Sequence, residues 1–229
     1  MPEERIRVEI AGGEAVTAVA YPAASERRAD VTLILAPGAG ANQSSDFMVR
    51  FAAGLALRGI DVVTFNFSYM ERRRRVPDRT SALEACWRRV IEAVRSHAGM
   101  GRQPLAIGGK TMGGRIASQV VAAGAAGVAG LVLLGYPLHP PGKPDQLRVR
   151  HLPAIAVPML IVQGSRDAFG TPEELRPILA GIDAPATLHV VEDGDHSFKV
   201  RKRSGSTQAA ADAEIQDRIA AWLREVLLR

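Results

Sequence analysis

The segment Leu105-Ala106-Ile107-Gly108-Gly109-Lys110-Thr111-Met112-Gly113-Gly114-Arg115 passes from an apolar, strand-like run into a helical pattern over residues 115–121. Within it, residues 109–113 read G-x-T-x-G. That is the layout of a nucleophile elbow, a tight strand-to-helix turn that lifts one side chain out of a sheet. Glycines on either side of the raised residue let the helix pass close beneath the turn. The raised residue is Thr111, at a position where serine is usual.

Strand and helix patterns alternate on both sides of this turn. Residues 31–36 (VTLILA), 61–67 (DVVTFNF), 130–136 (GLVLLGY), 158–164 (PMLIVQG) and 186–192 (ATLHVVE) have the length and continuity of buried strands. Helical spacing covers residues 47–57, 77–97, 115–123, 173–179 and 208–228. Asp46 is expected to cap the first of these helices, and Gly59 to stop it. Residues 5–10 and 15–21, joined by Ala11-Gly12-Gly13-Glu14, predict an antiparallel hairpin at a sheet edge. The sum is an α/β chain, with a mostly parallel sheet of 7–8 strands and helices on both faces. A length of 229 residues predicts one domain over residues 1–229. Residues 137–157 are proline-rich and loop-like, too short for a helical lid.

Bulk properties narrow the function classes. No apolar run reaches the roughly 18 residues that a membrane-spanning helix needs. The opening MPEERIRVEI is charged rather than signal-like, so a cytoplasmic location is expected. The single cysteine, Cys86, shares a helix side with Leu83, Trp87, Val90, Ile91 and Val94 and reads as a packing residue. No cysteine–histidine cluster has metal-ligand spacing, and neither a metal nor a cofactor is expected. Much of the net charge of +5 sits in two runs, residues 72–75 and 201–203. Neither is interleaved with aromatics or carried by a nucleic-acid motif. They read as solvated loop charge, with contact to an anionic substrate as the other use of one run. Residues 109–111 resemble the end of a phosphate-binding loop, but its first glycine would fall at Pro104. Gly38-Ala39-Gly40 begins like a dinucleotide fingerprint, but the third glycine would fall at Gln43.

Acyl transfer needs a nucleophile, a base, an acid that orients the base, and donors for the oxyanion. In sheets of this kind the first three arrive in the order nucleophile, acid, histidine. Thr111, Asp167 and His196 follow three strands in that order, at the carboxyl ends where ligands gather in open α/β sheets. Each also has a plain reading: Asp167 as a turn residue, His196 as a loop histidine with Asp193 or Asp195 as its partner. The oxyanion donors expected are the N–H of Met112 and one from the glycine-rich turn Pro37-Gly38-Ala39-Gly40-Ala41, at Ala39 or Gly40.

Four segments in order, GGKTMGGR, LGYPLHPPGKP, VQGSRDAFGT and EDGDHSFK, resemble the small lidless α/β-hydrolases related to dienelactone hydrolase. Within that group the chain is similar to a bacterial branch akin to the hydrolase-like domains of a chromatin-regulator subunit and a testis-expressed protein. The resemblance implies an α/β-hydrolase fold without a lid and a catalytic triad, here Thr111, Asp167 and His196. Two positions depart from the group: Thr111 stands for serine, and Pro37 stands where histidine is usual. The expected function is hydrolysis of a small carboxylic ester, thioester or related acyl compound. The alternative is a catalytically weak or silent member that binds a partner or small ligand. Thr111 itself reads in three ways: a slower nucleophile, a silenced site kept for binding, or an introduced substitution. Lys110, beside it, is expected to point away or to be structural rather than catalytic.

Overall fold

The computed structural model describes residues 3–201, 205 and 207–228. Its strands are β1 (Glu4–Glu9), β2 (Ala15–Tyr21), β3 (Thr32–Ala36), β4 (Asp61–Phe65), β5 (Leu105–Lys110), β6 (Gly130–Leu134), β7 (Met159–Gly164) and β8 (Ala186–Val191). They form one eight-stranded sheet in the order β1-β2-β4-β3-β5-β6-β7-β8. β2 runs antiparallel to β1 and β4, and the remaining pairs are parallel. The helices are α1 (Asp46–Leu57), α2 (Ser68–Glu71), α3 (Thr80–Arg95), α4 (Met112–Ala122), α5 (Pro172–Ala180) and α6 (Gln208–Leu227). From β3 the chain steps to β4 on one side, then crosses to β5 on the other. The carboxyl ends of β3 and β5 therefore meet where the strand order reverses, the place where such sheets open a crevice.

The continuous apolar runs have a reason. Successive side chains on a strand point to opposite faces, and both faces of this sheet are covered. Ile34, Ala36, Leu105, Ile107, Leu131 and Leu133 pack into a core with Trp87 and Val90 of α3 and Ile116 and Val120 of α4. Their neighbours Leu33, Leu35, Ala106, Val132 and Leu134 pack on the other side with Phe51 and Leu55 of α1 and Ile219 and Trp222 of α6. The helix stripes read from the sequence are the buried ones, including Leu83, Cys86, Trp87, Val90, Ile91 and Val94 on α3.

The boundaries shift in places, each for a local cause. Ser45, with extended backbone, is the N-cap of α1, and Asp46 lies inside the first turn, where its charge suits the helix dipole. α3 begins at Thr80 rather than at Pro77-Asp78, after Arg79 with its extended backbone, and the Asp78 carboxylate is held by Arg72 and Arg74 instead. α4 begins at Met112, directly at the elbow. α2, four residues long, is too short to show a periodicity. Residues 137–157 hold only a short 3-10 turn, Leu152–Ala154, and no lid domain. Among the described residues no helix is long and apolar enough to cross a membrane.

Two consequences are testable. A Cβ added at Gly113 would lie 2.5 Å from the Ala36 carbonyl oxygen and 2.6 Å from that of Pro37, with only backbone to yield. Gly113→Ala is therefore expected to lower stability by roughly 1–3 kcal/mol, read from the urea midpoint. Burial pushes the Cys86 thiol up to about 12. Ellman's reagent should leave the native protein unlabelled at pH 8 and react only as fast as the protein unfolds.

Candidate active site

The elbow forms because two of its backbones must lie where no side chain fits. Gly109 takes φ 153°, and a Cβ there would meet the Ala36 carbonyl oxygen at 2.3 Å. Between Gly109 and Gly113 the chain reverses through Thr111, at φ 50° and ψ −112°. A β-branched residue with positive φ is strained, by about 1–3 kcal/mol in typical cases. Neighbouring bonds hold it: Thr111 N–H donates to Leu134 O at 3.0 Å, and Thr111 O accepts from Arg115 N–H at 3.0 Å.

Thr111, His196 and Asp167 meet. Thr111 Oγ1 lies 2.7 Å from His196 Nε2, and His196 Nδ1 lies 2.8 Å from Asp167 Oδ2. With the Nδ1 proton directed at the carboxylate, Nε2 is left to accept the threonine hydroxyl proton. Asp167 is fully buried, and its other bonds orient it: Gln163 Nε2–H donates to Oδ2 at 2.9 Å and Phe169 N–H to Oδ1 at 2.8 Å. The other candidate partners of His196 are engaged elsewhere. Asp195 Oδ1 accepts from Ser197 and Lys199 N–H at 2.8 and 3.0 Å, shaping the histidine's own loop. Asp193 pairs with Arg166 and Arg201. The acid and histidine loops are tied together by Arg166 N–H to Gly194 O at 2.9 Å and Asp193 N–H to Ser165 Oγ at 2.8 Å.

Of the expected oxyanion donors, Met112 is the first residue of α4, so its N–H has no partner within the helix. Ala39 lines the cavity in front of Thr111, whereas Gly40 N–H donates to the Tyr69 hydroxyl at 3.2 Å. The turn approaches closely: a Cβ on Gly38 would stand 3.6 Å from Thr111 Cβ. The cavity measures about 950 Å³ and is lined by Thr111, His196, Met112, Phe47, Phe169 and Pro137 among others. Among the described residues no group of histidine, cysteine and acidic side chains is arranged to hold a metal.

Of the two places expected for Lys110, the structure gives the structural one rather than an outward direction. Lys110 shares strand parity with Ala106 and so emerges on the α1 side, where its amine lies 4.9 Å from the Phe198 ring centre. From there Nζ donates to the His196 carbonyl oxygen and reaches Thr111 Oγ1 at 3.3 Å. Burial lowers its pKa to about 8, against the pull of Asp167 and Asp195. Three further residues at the site escaped the sequence reading. Gln163 had a signal, an amide inside an apolar strand; Phe169 and Arg148 had none beyond their places in loops. The arginine run 72–75 does not line the cavity: Arg72 bonds Glu14 and Asp78, and Arg74 bonds Asp78. In the second run Arg201 pairs with Asp193, while Lys202 and Arg203 lie outside the described residues.

An eight-stranded sheet of this order, with a strained residue at the β5–α4 elbow hydrogen-bonded to a histidine after the last strand, defines an α/β-hydrolase. Residues 29–224 match the family described as an alpha/beta hydrolase domain; the chain belongs to that family and is an enzyme of the α/β-hydrolase class. Solved structures share the fold. A dienelactone hydrolase from Anabaena variabilis has a TM-score of 0.76 at 16% identity, over 99% of this chain and 98% of that one. A lidless α/β serine hydrolase from Xanthomonas campestris has a TM-score of 0.75 at 19% identity, over 99% and 97%. An esterase domain from Rhodothermus marinus has a TM-score of 0.71 at 14% identity, over 99% and 100%.

The position of Lys110 has a measurable signature. Side-chain amine NMR should show a lysine titrating near pH 8, absent in Lys110→Met. Because its folded pKa lies below the unfolded 10.5, the unfolded chain binds more protons between those values. Lys110 should therefore add stability as pH rises from 8 to 10.5, an increment that Lys110→Met removes.

Proposed function

We propose that residues 1–229 act as one catalytic domain that hydrolyses a small carboxylic ester, thioester or related acyl compound through Thr111, His196 and Asp167. The observation that carries this reading is the unbroken hydrogen-bond chain, 2.7 Å from Thr111 Oγ1 to His196 Nε2 and 2.8 Å from His196 Nδ1 to Asp167 Oδ2. Thr111 Oγ1 attacks the substrate carbonyl carbon while Nε2 takes its proton. Asp167 keeps the imidazole in the accepting tautomer and stabilises the imidazolium that forms. The N–H groups of Met112 and Ala39 receive the oxyanion, since Gly40 is engaged by Tyr69. The imidazolium then protonates the departing alcohol or thiol, leaving an acyl-threonine. A water molecule, deprotonated by the same nitrogen, attacks that ester, releases the acid and restores the Thr111 hydroxyl.

Threonine and serine hydroxyls have much the same acidity, so the difference between them is steric. The Thr111 methyl stiffens χ1 and adds bulk beside the attacking oxygen. A small misplacement of the attacking oxygen costs on the order of a hundredfold in rate. The test uses a short-chain 4-nitrophenyl ester. Thr111→Ala should lose most of the activity, keeping only what binding and the oxyanion donors supply, and Thr111→Ser should gain roughly ten- to a hundredfold in kcat. Asp167→Asn should lose several orders of magnitude, about ten-thousandfold where the acid has this role. Equal rates for the parent and Thr111→Ala would overturn the reading.

A further inference from the structure

Two guanidinium groups, Arg115 and Arg148, line the cavity that holds Thr111 and His196. Both are half-buried, and they come from separate elements. Arg115 sits in the first turn of α4, one turn past the elbow; Arg148 lies in the loop after β6. The Arg148 backbone is held on both sides: its N–H donates to Leu138 O at 2.8 Å and its carbonyl accepts from the Tyr136 hydroxyl at 2.6 Å. The guanidinium groups are less provided for. Arg115 Nη1 donates to the Gln119 amide oxygen at 3.3 Å, and Arg148 Nη1 reaches Pro137 O at 3.5 Å. Among the described residues neither has a carboxylate within ion-pair distance. Glu84 attracts Arg115 only from farther away.

Asp46 and Lys199 also line the cavity, but both are exposed to water; the remaining charges of its wall are partnered. Arg50 is paired with Asp212, and Asp78 is held by Arg72 and Arg74. Lys110 is committed to His196 O and Thr111 Oγ1. Partial burial of two unpaired like charges is unfavourable: desolvation and then the neighbouring Arg148 charge lower the proton affinity of Arg115. His151 beside them is pushed down to about 4 by burial and by Arg115, so it adds no charge at neutral pH. The partly positive amino end of α4 adds to the same potential. Apolar surface from Pro137, Phe169 and Met112 lies in the same cavity and lowers the local dielectric. A planar guanidinium presents a fork of N–H donors that fits carboxylate or phosphate oxygens.

We infer that Arg115 and Arg148 form a subsite for an anionic group of the substrate, so that the enzyme prefers acyl compounds carrying a carboxylate or phosphate away from the reacting carbonyl. The inference rests on the proposed hydrolase reading for its catalytic meaning, and on the two unpaired guanidinium groups for the binding itself. The anion neutralises a charge pair that the fold leaves without counter-ions. The arginine run 72–75 cannot take this role, since its members lie outside the cavity.

The experiment compares matched esters. Mono-4-nitrophenyl glutarate is set against 4-nitrophenyl pentanoate, which places charge on the acyl half. 4-Acetoxybenzoate is set against its methyl ester, and 4-acetoxyphenyl phosphate against its dimethyl phosphotriester, which place carboxylate or phosphate on the alcohol half. At least one charged member should be preferred about tenfold or more in kcat/KM, the range for a hydrogen bond to a charged group. That preference ratio should fall at least tenfold in Arg148→Met and in Arg115→Gln, with melting temperatures checking that each variant folds. A preference for the neutral ester in every pair, or ratios unchanged in both variants, overturns the subsite. Calorimetric titration with glutarate and with inorganic phosphate separates this failure from failure of the hydrolase reading. Binding that is weakened by salt and lost in Arg148→Met supports the subsite even if no ester is turned over. Ester turnover with no binding and no charge preference leaves the hydrolase and removes the subsite.

Discussion

The carbonyl oxygen of Ala36 lies directly beneath the backbones of Gly109 and Gly113, and the position of Thr111 against the turn after β3 follows from that contact. It requires glycine on both sides of Thr111, because side chains of any size would push β3 and the elbow apart. The contact brings the turn after β3 against Thr111, so that Ala39 of that turn and Met112 of α4 line the same cavity from two separate segments. Parallel pairing of β3 with β5, Ala36 opposite Gly109, sets the register in which this happens. The hydroxyl, the backbone amides and the crevice at the strand-order reversal are consequences of one packing arrangement.

Electrostatics divide the site into two regions. Around Asp167 the polar atoms are satisfied: Gln163 and Phe169 N–H leave the carboxylate one remaining task, to receive the imidazole N–H. Gln163 extends the same order to the strand end beside it, since its amide also bonds the Tyr136 backbone on both sides and the Gly170 carbonyl. On the α4 side of the cavity the order is different. Positive groups outnumber their partners there, and the protein leaves open an electrostatic position that a ligand completes.

Much of this was legible in the chain. All eight strands announce themselves as apolar runs or an alternating hairpin, because a sheet covered on both faces needs apolar residues of both parities. The elbow, Asp167 and His196 are legible because each sits where a strand must end and a turn must begin. What lay hidden depends on contacts between distant segments. Asp193, Asp195 and Asp167 are equivalent on paper as partners for His196, and only Arg166, Arg201 and the loop amides separate them. The direction of Lys110 was readable from strand parity with Ala106, but the parity had to be carried past the glycines of the elbow. The cap of α1 and the start of α3 were misplaced because an acidic residue before a helix signals either a cap or a first-turn charge. At Asp46 the extended backbone of Ser45 takes the cap position, and at Asp78 the carboxylate goes to Arg72 and Arg74.

Phe169 joins the two members of the Asp167–His196 pair. Its N–H bonds the carboxylate, and its ring lies 4.1 Å from the imidazole ring, tilted by 31°. The aromatic face restricts the rotamers open to His196, while the peptide group restricts the carboxylate that the imidazole addresses. The ordering entropy of the pair is therefore met once, when the loop folds. A histidine held in this way is already aimed in the folded protein, by a ring on one side and a carboxylate on the other.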